Sequence, residues 1–184
     1  MLKIIILFCF ALLLPILSAA DPIDNFGVID TLYAKIININ NSTWSVVISF
    51  SNDENVTAFS IPLKVTSGST KIIADSAIFK GGRAERFPYK GFRPDDSGVT
   101  LGLIANIGSR ISILPGKGKI VTIYFSSPDN TPIKYLDVDT TTTYPNNRLM
   151  VIADRVQGSD NQDTITDNEK DILKIYPHFV VIKP

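Results

Sequence analysis

Apolar and polar residues alternate with a period of two along much of this 184-residue chain, in short runs separated by turn residues roughly every ten positions. In 43–51, Trp44, Val46, Ile48 and Phe50 fall on one face, and Ser45, Val47, Ser49 and Ser51 on the other. That is a strand with one face meant for a core. The polar break SNDEN follows, and 56–65 then aligns Phe59, Ile61, Leu63 and Val65, so the two segments are expected to form a hairpin. Pro62 cannot donate to a ladder, which predicts an edge position or a bulge in the second strand.

Further strands are expected at 28–37, 72–79, 99–105, 119–125, 133–138, 149–153 and 179–182. The run KIVTIYF over 119–125 is apolar on both faces, as a central strand would be. About nine strands with short connections favour an all-β fold, a two-sheet jelly-roll β-sandwich, over alternating strands and helices. The one helical expectation is 167–176, where Asp167 could cap and Ile172, Leu173 and Tyr176 share a stripe.

The first twenty residues interrupt this pattern. Lys3, the apolar run 4–14, Pro15 and the small residues Ser18 and Ala20 have the three-part order of a secretory signal peptide cleaved after Ala20. The run is shorter than the roughly 20 residues that a membrane span needs. The expected organisation is thus a signal over 1–20 and a single extracellular domain over 21–184, with no membrane association once the signal is gone. Cys9 is the chain's one cysteine and lies in the signal, so the domain must hold together by its hydrophobic core. Removing Lys3 from the 18 basic residues leaves 17 against 18 acidic ones, a balance that does not point to nucleic acid.

The runs NDENVTAFSIPLKV (52–65), SAIFKGG (76–82), GVTLGLIAN (98–106) and LPGKGKIVTIYF (114–125) resemble the cohesin-like domains of microbial extracellular proteins. The resemblance lies in the pattern of an apolar strand, a later glycine-rich turn and a further apolar strand. It implies a nine-stranded jelly-roll sandwich related to carbohydrate-binding modules. It also implies a binding role without catalysis, toward a polysaccharide or an extracellular protein partner, dockerin-like partners included.

Candidate chemistry is sparse. The single histidine, His178, has no HExxH or GxSxG context and reads as a surface residue at a strand end. The stretch 85–94, ERFPYKGFRP, reads as a loop that combines Phe87, Tyr89 and Phe92 with Arg86 and Arg93. Rings stack on sugars and side chains while guanidinium groups supply forked donors, so these five residues are the candidate ligand-binding set, unless the rings plug the end of the sandwich. Trp44 is in phase with the core positions of its strand and is expected to pack there. No organic cofactor is expected. Calcium is the metal to consider, at Asp160, Asp163, Asp167 and Glu169, although their spacing departs from the EF-hand template and a solvated acidic loop capping a short helix is the favoured alternative. The competing readings are a structural subunit of a surface layer or fibre and a small secreted glycoside hydrolase built on paired carboxylates.

Overall fold

The computed structural model describes residues 24, 27–105, 111–141, 148–154 and 172–184. The expected signal over 1–20 and the acidic residues Asp160, Asp163, Asp167 and Glu169 lie outside the described residues. The strands are β1 (Thr31–Asn38), β2 (Thr43–Asn52), β3 (Asn55–Thr66), β4 (Ile73–Ile78), β5 (Tyr89–Asp95), β6 (Gly98–Ile104), β7 (Gly116–Ser126), β8 (Asp137–Thr140), β9 (Met150–Asp154), β10 (Ile172–Ile175) and β11 (His178–Ile182). They form two sheets. Sheet one has the order β11-β1-β2-β7-β4, and sheet two has β10-β9-β3-β6-β5 with β8 also paired to β3.

The period-two pattern decides which side of each strand faces inward. Leu32, Ala34, Ile36, Val46, Ile48, Phe50, Ile123 and Phe125 of sheet one meet Phe59, Ile61, Leu63, Val99, Leu101, Leu103 and Val151 of sheet two in one buried core. Phe50 and Phe59 join the two layers edge to face, with ring centroids 5.2 Å apart. Trp44 packs in this core as its phase predicts, 5% exposed. Between Ile48 and Ser49 the partner register on β7 jumps from Val121 to Lys119, which leaves Ile120 as a bulge. Both Ile120 and Val121 are therefore buried despite being consecutive.

Three local expectations are corrected by the structure. The segments 43–51 and 56–65 do not pair as a hairpin: β2 lies between β1 and β7 in sheet one, while β3 pairs with β6, β9 and β8 in sheet two. The break after Asn52 is thus a crossover between layers, and the two apolar faces meet across the core instead of side by side. Pro62 lies on a central strand, and the β3–β9 irregularity is at Val56/Ala58. Its carbonyl accepts from the Thr141 amide, so its missing donor would point to the same side, between the start of β9 opposite Ser60 and the end of β8 opposite Leu63. Over Ile172–Ile175 the expected helix is instead β10, antiparallel to β9. In so short a run the stripe of Ile172, Leu173 and Tyr176 could not separate helix from strand, and the open ladder of β9 decides it. No helix among the described residues is long and apolar enough to cross a membrane.

Candidate functional site

Since Phe59, Ile61, Leu63, Val99, Leu101 and Leu103 point inward, their neighbours in sequence build the outer face of sheet two. The strand registers set them in rows. One row runs Tyr89, Ile104, Ala58, Ile152, and the next runs Gly91, Gly102, Ser60, Met150. Tyr89 is 60% exposed and Ile104 48%. Beside them the surface is low: a Cβ placed on Gly102 would meet nothing within 4 Å. Charge appears toward the border, where Arg93 pairs in register with Thr100, and Asp95, Gly98, Lys64 and Asp139 form the last row. The face is a partly apolar floor of small residues with charged groups along one margin and the exposed Lys174, in register with Ile152, at the end of the apolar row.

The five sequence-predicted binding residues divide between the two sides of this layer. Tyr89–Asp95 is not a loop but the strand β5, paired to β6 at the end of the sheet. Tyr89 and Arg93 stand on its outer side, both exposed. Phe92 is in register with Leu101 and packs against the core. Phe87, just before the strand, is 1% exposed and sits 6.4 Å from the Phe59 ring, so it is a core residue. Arg86 is exposed in the turn that leads into the strand. Lys90 turns back to donate to the carbonyls of Glu85 and Phe87, which holds that turn against the edge. His178 is exposed at the start of β11.

A second cluster gathers where β1, β3 and β11 begin and β2 ends. Asp30, immediately before β1, is wholly buried, and neither of its carboxylate oxygens has a hydrogen-bond partner. Its backbone is fixed: the amide donates to Asp24 Oδ2 at 2.7 Å, and the carbonyl accepts from the His178 amide at 2.8 Å. One oxygen each of Asp30, Asp53 and Glu54 lies within 4.8 Å of the others. Burial, then the charges of Asp24 and Asp53, push the Asp30 carboxyl up to about 7. The Asp53 amide, which faces the carboxyl without reaching full hydrogen-bond geometry, and the charge of Arg83 pull the other way. Glu54 is pushed up to about 8 by burial, by a hydrogen bond with Asp53 and by the nearby acids. Burial also lowers Arg83, with Asp30 opposing that shift.

No protein-family model matches this sequence, and no curated protein matches it. Solved structures do. The seventh ScaB type I cohesin from Pseudobacteroides cellulosolvens superimposes with a TM-score of 0.55 at 11% identity, over 84% of this chain and 92% of that one. The third cohesin ScaC from Acetivibrio cellulolyticus, solved in complex with the ScaB dockerin, gives 0.52 at 14% identity, over 83% and 94%. The fold is a cohesin-like β-sandwich. At these identities the likeness is one of fold.

On this cohesin-like frame, Tyr89 and Arg93 of the sequence-predicted set lie on the outer face, whereas Ile104, Ile152, Met150 and the glycine pair beside them were not picked out from the sequence. Their signal was present in GVTLGLI, where Leu101 and Leu103 alternate with Gly102 and Ile104. An isoleucine in the outward phase of a strand is the mark to look for. The acidic cluster left no such local mark, since Asp30 and Asp53 meet only in three dimensions.

Proposed function

We propose that this cohesin-like domain is an exported, non-catalytic module that binds a protein partner of the dockerin type on the outer face of sheet two. The observation that carries the reading is the strip from Tyr89 through Ile104 and Ala58 to Ile152, open above Gly91 and Gly102 and bordered by Arg93, Asp95, Lys64 and Asp139. An apolar centre with a charged rim is the anatomy of a protein interface, and the exposed Ile104 side chain gains by being covered. That the Acetivibrio neighbour was solved with a dockerin supports the class of partner. A polysaccharide platform finds less support, because Phe87 is in the core and Phe92 packs against it, leaving Tyr89 as the exposed ring of the three.

The test is to titrate a panel of immobilised dockerins with the full chain at constant calcium. Saturable binding is expected with at least one of them. Ile104→Asp should weaken it by about tenfold or more while leaving the circular dichroism and melting temperature unchanged. Retention of the chain on insoluble polysaccharide, lost in Tyr89→Ala, with no dockerin bound, would overturn the proposal in favour of a sugar binder. Self-association in sedimentation that Ile104→Asp abolishes would reassign the face to assembly.

A further inference from the structure

We infer that Asp30, Asp53 and Glu54 form a calcium site that clamps the segment leading into β1 onto the crossover between β2 and β3. Acidic residues crowded on a surface are ordinary, but here only Asp53 is exposed, while Glu54 is half-buried and Asp30 is wholly shielded. Asp30 is 0% exposed and both its oxygens lack a donor, and Glu54 Oε2 is buried without one. A shielded carboxylate oxygen with nothing to bind is among the costlier features a fold can carry, and a bound cation would satisfy several such oxygens at once.

The protein's own positive charge is already engaged. Arg83 Nη1 donates to the carbonyls of Phe50 and Gly116 at 3.0 and 2.7 Å, and Nη2 donates to that of Leu114. The neighbouring Asn52 directs its Nδ2 at the Glu54 and Leu114 carbonyls, and its buried Oδ1 is left without a partner. The chain thus spends its donors on backbone oxygens and leaves side-chain oxygens open. The segment before β1 is shaped to match. The Val28 amide holds Asp53 Oδ2 at 2.7 Å, and Gly27, at φ +65°, lies so close that a Cβ there would fall 1.9 Å from the same oxygen.

The donor chemistry selects the ion. The group consists of carboxylates, without nitrogen or sulfur, and so suits a hard cation. Calcium takes roughly six to eight oxygens in irregular arrangements and accepts two from one carboxylate, whereas magnesium insists on an octahedron and retains several waters. A fully buried Asp30 fits the first better than the second.

The experiment uses the full chain, stripped with a chelator, dialysed and titrated with calcium chloride in a calorimeter, with thermal melts in parallel. One saturable site and a higher melting temperature are expected. Asp30→Asn and Glu54→Gln should each weaken binding by about tenfold or more and remove the melting shift. If Asp30→Asn does not fold, the less buried Glu54→Gln carries the test. The double variant Asp163→Asn, Glu169→Gln should bind as the parent does. Absence of both heat and melting shift at millimolar calcium would overturn the inference. So would binding that survives Asp30→Asn and Glu54→Gln, or that is lost in the double variant. Equal affinity for magnesium would overturn the choice of ion. No partner enters this readout, so it stands or falls apart from the dockerin proposal.

Discussion

On the outer face of sheet two, Ile104 and Tyr89 stand 48% and 60% exposed, whereas at the acidic end the Asp30 side chain is entirely shielded from water. Each region departs from the usual distribution, and in opposite directions. The costs differ. An exposed apolar side chain loses only what a partner would later give it, and the sheet beneath is already held by its ladders and its core. A shielded, unpartnered carboxylate weighs on the fold continuously until a proton or a cation partners it. The difference teaches that the first region can change with little effect on stability, while the second is bound up with it.

One glycine in each region makes the sharpest test. Gly27→Ala would impose a side chain on a left-handed residue and force Asp53 away from the Val28 amide. A loss of about 1–3 kcal/mol in urea unfolding is expected. A neutral result would mean that the acidic end is looser than described, and the contrast between the regions would collapse.

A second test is pH, measured as the urea midpoint of the calcium-free chain. Asp30 and Glu54 have folded values of about 7 and 8, above their ordinary 3.8 and 4.5, in the company of Asp24, Asp53 and Arg83. Between these limits the folded state holds more protons than the unfolded one, so stability falls as pH rises. The contribution is complete below the ordinary values and is lost through pH 7 to 8. Excess calcium should flatten or reverse the trend. A midpoint that climbs from pH 5.5 to 8.5 in chelator would show that these acids are not the ones that set it.

The smallest effect belongs to Gly102→Ala. Its new methyl group would point into open space on a strand at ordinary φ, so stability should change by no more than about 0.5 kcal/mol. If unfolding instead shows a large loss, the floor of the outer face is not open.

Much of the sandwich was legible from alternation alone, because one buried face per strand is what the pattern encodes. Alternation says which way Phe50 and Phe59 point but not which strands are neighbours, so a crossover between layers passed for a hairpin. In 89–95, proline and charged residues concealed a strand whose inward side carries Phe92 and whose outward side carries Tyr89 and Arg93. The acidic end was hidden for another reason. Asp53 and Glu54 look like any polar turn, and Asp30 looks like a residue before a strand, until folding joins positions 30 and 53 and shuts water away from the first. The density of acids near Asp163 drew attention to calcium, but the physical signal for it is burial without partners, which a sequence does not display.

Pro62 has one more consequence. On the side of β3 where β9 gives way to β8, it offers an acceptor and no donor. A strand sliding along β3 in either direction would arrive at a rung it could not complete. The residue thus acts as punctuation in the ladder, marking where one neighbour stops and the next begins, and it keeps two short strands from competing for the same length of edge.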